Sequence, residues 1–157
     1  MEGRRRAALY PPGIADGLDE TIRQLLSAPL TWAVVGCSQR PQRDSHRIAA
    51  LLQGRGNRIV PVNPDAAGQD ILGERCHARL TELPEGKRVD VVDIFRRSEA
   101  AGPHVDEAIA IGARAVWMQL GVIDHAAAER AADAGLHVVM DRCPRIELPR
   151  LRRSADA

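Results

Sequence analysis

The chain has 157 residues, with 22 Lys+Arg against 21 Asp+Glu and a formal net charge of +1. That length suits one domain with a core that needs neither disulfides nor metal, and the near-neutral balance excludes a dedicated nucleic-acid binder, which needs a basic excess to neutralise phosphates. No apolar run approaches the roughly 18 residues of a membrane span, and no apolar stretch follows Arg4-Arg5-Arg6 as in a secretory signal, so the expected location is cytoplasmic.

Residues 1–16 read as a leader: Pro11-Pro12-Gly13 interrupts them and they show no periodicity. Leu18, Ile22, Leu25 and Leu26 recur at helical spacing, and Pro29 closes that helix. Trp32-Ala33-Val34-Val35 is a buried strand ending at Gly36. After a polar loop, Asp44 or Ser45 would cap a helix with Ile48, Leu51 and Leu52 on its apolar face, stopped by Gly54 and Gly56. Arg58-Ile59-Val60-Pro61-Val62 is a second strand, broken by Asn63-Pro64. Residues 65–86 are less regular and carry a short strand near Ile71 and a helical turn near Leu80.

Val89 to Phe95 forms a third strand, followed by a helix with Val105, Ala108 and Ile109 on one face and Gly112 at its end. Ala115 to Met118 is a fourth strand. Asp124 caps an alanine-rich helix closed by Gly135, and Leu136 to Met140 is a fifth strand. Cys143-Pro144 opens a last turn or helix. The ordered domain is expected over 17–150, with a frayed tail over 151–157. Strands alternating with helices imply βαβ units with right-handed crossovers. The expected fold is therefore α/β, a three-layer, doubly wound parallel sheet of five strands in the order 3-2-1-4-5, with a crevice between strands one and four.

In such sheets ligands bind beyond the C-terminal strand ends. Those ends carry Gly36-Cys37-Ser38, Asn63-Pro64, Phe95-Arg96-Arg97, Gln119 and Asp141-Arg142-Cys143. Gly36 lets a ligand approach the backbone, Ser38 adds a hydroxyl, and the following helix directs free N–H groups at the same space. Arg43, Arg96 and Arg97 supply charge for phosphate. The bland alternative is an ordinary βα turn with solvated arginines, Phe95 in the core and Asn63 as a turn residue. Neither G-x-G-x-x-G nor G-x-x-x-x-G-K-[ST] is present. Strand two ends in Asn63 rather than the acid that holds ribose hydroxyls in NAD sites.

The segments Trp32 to Ser38, Pro41-x-Arg43-x-Ser45, Val60-Pro61-Val62-Asn63-Pro64, Ile71-Leu72-Gly73-Glu74, Asp93 to Arg97, Ala115 to Gln119 and Met140 to Pro144 resemble the stand-alone CoA-binding Rossmann-like proteins. The likeness covers roughly residues 20–148 in order. The first domain of the succinyl-CoA synthetase α subunit is similar more distantly. The resemblance implies a site for coenzyme A or an acyl-CoA. It puts Gly36, Ser38, Arg43 and Ser45 at phosphates and Asn63, Phe95, Arg96 and Gln119 around the nucleotide, with Cys37, Pro41 and Arg97 completing the expected cofactor site. Asn57 departs from the family, which tends to place an aromatic residue there.

Cys37, Cys76 and Cys143 show no Cys-x-x-Cys pairing, which argues against a disulfide framework or a zinc site. His46, His77, His104, His125 and His137 are scattered, and Asp93, Asp124 and Asp141 read as caps or loop anchors, so no catalytic constellation is expected. Cys143, next to Arg142, is the candidate redox-active thiol, with Cys37 the second. The reading is a non-catalytic or regulatory binder of a small nucleotide ligand, without nucleic-acid or membrane partners, as a monomer or weak homo-oligomer. The alternatives are an NAD(P)-binding oxidoreductase or partial acyl-CoA ligase module, and a protein-interaction domain with a vestigial groove.

Overall fold

The computed structural model describes residues 17–27 and 29–155; the expected leader over 1–16 lies outside the described residues. In chain order the elements are α1 (Leu18–Ser27), β1 (Thr31–Val35), α2 (Asp44–Gly54), β2 (Arg58–Val62), a 3-10 turn (Pro64–Ala66) and the hairpin β3 (Asp70–Ile71) and β4 (Glu74–Arg75). A second 3-10 turn (Leu80–Glu82), β5 (Val91–Ile94), α3 (Ser98–Ala110), β6 (Ala115–Gln119), α4 (His125–Asp133), β7 (His137–Arg142) and α5 (Pro144–Ala155) follow.

The strands are the apolar runs, and their side chains alternate between two faces. Ala33, Val35, Val60, Val92, Ile94, Val116, Met118 and Met140 face α3 and α4, packing on Ala101, Val105, Ala127 and Ala131. Trp32, Val34, Ile59, Val91, Trp117 and Val139 face α1, α2 and α5, packing on Ile22, Leu25, Ile48, Leu52 and Leu148. Trp32 and Trp117 meet at 5.6 Å between centroids, inclined by 52°. Such a pair adds about 0.5–1.5 kcal/mol beyond its buried area. Burial on both faces makes these strands continuous apolar runs.

The five-stranded sheet is parallel and runs β2-β1-β5-β6-β7. This corrects the expected 3-2-1-4-5. The strand over 89–95 lies beside β1, not outside β2, so the sheet follows a 2-1-3-4-5 order. The reason is visible at the outer edge of β2. There His77 N donates to Pro61 O at 3.0 Å, Asn63 N donates to His77 O at 2.8 Å, and Val62 and His77 form a parallel bridge. A short extended piece therefore takes that edge, and the chain crosses to the free edge of β1. The switch point, and with it the crevice, lies between β1 and β5 rather than between strands one and four.

Two local expectations also change. Asp44 is the first residue of α2 rather than its cap, and Arg43 occupies the cap position without a side-chain hydrogen bond. The last helix continues through Ala155, past the expected boundary at 150, with Leu151 against the core. Asn57 is buried: its Oδ1 accepts from Leu30 N and its Nδ2 donates to Leu52 O, both at 2.9 Å. Its amide ties the turn after α2 to the start of β1.

Candidate functional site

Beyond the ends of β1 and β5 the backbone comes unusually close. Gly36 has φ +84°, and a Cβ there would lie 2.5 Å from Phe95 O and 3.4 Å from Arg96 Nε. Gly36 N donates to Val62 O at 2.8 Å. Glycine is required here twice, for its conformation and for its lack of a side chain. Arg96 Nε thus borders the space that a side chain at Gly36 would take. Arg96 Nε is buried and has no hydrogen-bond partner among the described residues.

The loop from Cys37 to Asp44 is held by its own hydroxyls. Ser38 N donates to Ser45 Oγ at 3.0 Å, and Arg40 N donates to Ser38 Oγ at 3.1 Å. Both oxygens act as acceptors, so each O–H keeps its hydrogen for another acceptor. His46 Nδ1 lies 2.9 Å from Ser38 O, which makes Nδ1 the protonated ring nitrogen because a carbonyl can only accept. Asn63 Nδ2 donates to Cys37 O at 2.9 Å, and Asn63 Oδ1 accepts from Asp65 N at 3.0 Å. The Asn63 amide therefore clamps the β1 loop to the exit of β2. Pro41 and Arg43 are exposed on this loop. The first turn of α2 begins beside it and leaves N–H groups without intrahelical partners.

Two cavities flank the switch point. One, of about 580 Å³, lies between α2 and α5 and is lined by Phe95, Arg96, Arg97 and Gln119 together with Asp44, Arg47, Ile48, Leu120, Val122, Cys143, Arg145 and Ile146. The other, of about 490 Å³, lies against α3 and is lined by Val35, Val62, Pro64, Ala78, Arg79, Arg96, Ala100, Pro103, His104 and Glu107. Arg96 borders both. Each volume falls in the range of small-molecule sites.

Four of the expected site residues, Phe95, Arg96, Arg97 and Gln119, therefore share one cavity wall. Gly36 packs directly under Phe95 and Arg96. Ser38, Pro41 and Arg43 lie on the adjoining loop, Ser45 in the first turn of α2 and Asn63 at the exit of β2, none of them on that wall, and Cys37 is buried beneath the loop. Burial, with Cys76 and Asp93 nearby, pushes the Cys37 thiol up to about 12. Burial of this kind disfavours the reactive thiolate form.

The sequence reading missed Arg47, Arg79, His104 and Arg145. Arg47 follows Asp44 by one helical turn, a spacing that would have placed it on the same face. His104 Nδ1 lies 3.5 Å from Glu107 Oε1, and burial lowers the His104 pKa against the opposing pull of Glu107.

A bulge between β6 and β7 shapes the far wall. The pairing shifts between Trp117 and Gln119, and Asp141 adopts φ +58°. Asp141 Oδ1 accepts from Gly121 N at 2.7 Å, and Trp117 Nε1 donates to Arg142 O at 2.9 Å. Such bulges re-aim side chains at strand ends. Gln119 is 6% exposed, and its Oε1 has no hydrogen-bond partner among the described residues. Asp124 caps α4 by accepting from Ala127 N at 3.0 Å. Asp141 and Asp124 are thus structural, as expected; Asp93 is different, being fully buried with both oxygens unpartnered among the described residues.

A parallel sheet with helices on both faces, open at a switch point lined by arginines and a glycine without room for a side chain, is a Rossmann-like α/β domain, the class whose ligand crevice lies beyond the C-terminal strand ends. Residues 30–149 match the CoA binding domain family, and the chain belongs to that family. It is 34% identical over 125 residues to the uncharacterized protein YneT of Bacillus subtilis, covering 80% of this chain and 90% of that one. Among solved structures, a Thermus thermophilus protein is 38% identical with a TM-score of 0.76, covering 85% of this chain and 98% of the other. A hypothetical protein from Pyrococcus horikoshii is 34% identical with a TM-score of 0.77, covering 85% and 91%.

Proposed function

We propose that this chain is a cytoplasmic, non-catalytic holder of coenzyme A or an acyl-CoA, with its phosphates between Arg96 and the loop Gly36–Ser45. The observation that carries this reading is Arg96, with an unpartnered Nε beside the space that a side chain at Gly36 would take and bordering both cavities. A diphosphate there takes charge-assisted bonds from the guanidinium, from the Ser38 and Ser45 hydroxyls, and from the first turn of α2. Arg43 adds charge at the loop edge.

The adenine end then fits the cavity against α3, where Arg79 offers a partner for the 3′-phosphate. The pantetheine arm fits the cavity against α5, whose Ile48, Leu120, Val122 and Ile146 supply apolar walls. The NAD(P) alternative is weaker, because Asn63 stands at the exit of β2 with its amide already engaged.

Calorimetric titration tests the reading. Coenzyme A is expected to bind more tightly than dephospho-coenzyme A, and both more tightly than NAD. Arg96→Ala should weaken coenzyme A by about 1.5–3 kcal/mol, the usual worth of a charged hydrogen bond. A preference for NAD, or an unchanged affinity in the variant, removes the assignment.

A further inference from the structure

We propose that Cys143 is a modification site, forming a reversible mixed disulfide with the pantetheine sulfur by exchange with the ligand's symmetrical disulfide. The inference rests on the coenzyme A reading above. Two of the chain's cysteines, Cys37 and Cys76, are buried; Cys143 is partly exposed and lines the cavity between α2 and α5. Its carbonyl accepts from Ile146 N and Glu147 N, both at 2.9 Å, which fixes the residue at the start of α5.

A second observation points to a ligand in the same place. Gln119, nine-tenths buried, lines this cavity with an Oε1 that has no hydrogen-bond partner among the described residues. A buried amide oxygen calls for an N–H donor, and the pantetheine arm carries two amide N–H groups. The exposed Leu120 and Ile146 flank the mouth and suit the methylene segments between those amides. Arg96 and Arg97, the apolar Leu120 and Ile146, and the Cys143 thiol all line this one cavity. A ligand anchored at its phosphates therefore presents its own sulfur to Cys143.

The exchange needs a disulfide, and the co-reactant is the symmetrical disulfide of the ligand thiol. The Cys143 thiolate attacks one sulfur of that disulfide. The S–S bond of the ligand breaks, a new one forms to Cys143 Sγ, and the second ligand molecule leaves as a thiolate that takes up the proton Cys143 lost. A dithiol reductant reverses the step.

The test is intact-protein mass spectrometry on the full chain mixed with coenzyme A disulfide or with glutathione disulfide, followed by peptide mapping. The expected result is one coenzyme A adduct on the Cys143 peptide, reversed by dithiothreitol. It should form at least about tenfold faster than the glutathione adduct, because phosphate anchoring holds the reacting sulfur beside the thiol. Cys143→Ser should lose the adduct and Cys37→Ser should keep it. Equal rates with the two disulfides, or an adduct mapped to another cysteine, overturn the proposal. So does the absence of an adduct while reduced coenzyme A still binds by calorimetry, an outcome that leaves the binding reading intact. Failure of reduced coenzyme A to bind overturns both.

Discussion

Gly36 carries two independent demands in one residue. Its φ of +84° disfavours any L side chain, and a Cβ would press to 2.5 Å against the Phe95 carbonyl, which cannot move without displacing β5. Gly36→Ala is therefore expected to cost about 1–3 kcal/mol of stability through backbone strain and to abolish measurable coenzyme A binding by moving the Phe95-Arg96 backbone. Thermal unfolding and titration of the same variant check the two parts. A variant with parental affinity would show that the close approach is not part of the site. At this scale the sequence was informative about which residues lie near the ligand edge and less so about what they do. Asn63 reads as a polar group at a strand end, yet its amide holds the β1 loop, because its partners, Cys37 O and Asp65 N, are backbone atoms that no side-chain pattern reveals. Ser45 was a candidate helix cap, and it instead accepts from Ser38 N and pins the loop. Arg47 is reachable from its one-turn spacing to Asp44, whereas His104 becomes visible as a cavity residue only once its helix is docked.

Elements were legible wherever burial on both faces produced a continuous apolar run, as in β1, β5 and β6. Their order was not, since lateral pairing leaves no local mark: the residue that closes the outer edge of β2 is His77, a bridge too short to show periodicity. Asp93 is the exception within β5. It pairs in register with Val34 on one side and Trp117 on the other, on the face that packs against α1, α2 and α5. Burial raises its pKa well above the model-peptide value of 3.8. The folded state thus keeps a proton that the unfolded chain releases. The contribution of Asp93 to stability is fully present below 3.8 and is lost as pH rises toward its folded pKa. Asp93→Asn, which cannot ionise, is expected to gain stability relative to the parent as pH rises from about 4 to 8, read as a widening gap in urea midpoints. A gap independent of pH would mean that Asp93 is hydrated or paired in solution.

Across the whole molecule, α5 closes the layer that α1 and α2 begin, and a run of charges fixes it there. Glu147, 2% exposed, faces Arg142 at 3.4 Å and Arg150 at 3.0 Å, and Arg150 reaches Asp19 of α1 at 3.1 Å. Arg142 Nη1 also donates to Asp141 O at 3.0 Å, inside the bulge that positions Gln119. Helices α1 and α5 are therefore joined through the ligand edge of the sheet, and the cavity wall formed by Arg145 and Ile146 depends on that joint. Removing a buried member of an ion pair leaves its partner's charge without compensation, a loss of about 3–5 kcal/mol, whereas an exposed pair contributes about 0–1 kcal/mol. Glu147→Ala should therefore lower stability by about 3–5 kcal/mol and Asp19→Ala by less than about 1 kcal/mol, both measured by urea unfolding. Because Glu147 sits one turn beyond Cys143 and lines neither of the two cavities at the switch point, the variant should bind coenzyme A less tightly only through a loosened α5. That loss should be recovered when the helix is tightened by lower temperature. Equal effects of the two substitutions would place the stabilisation of α5 in its apolar contacts, Leu148 and Leu151, rather than in the charges.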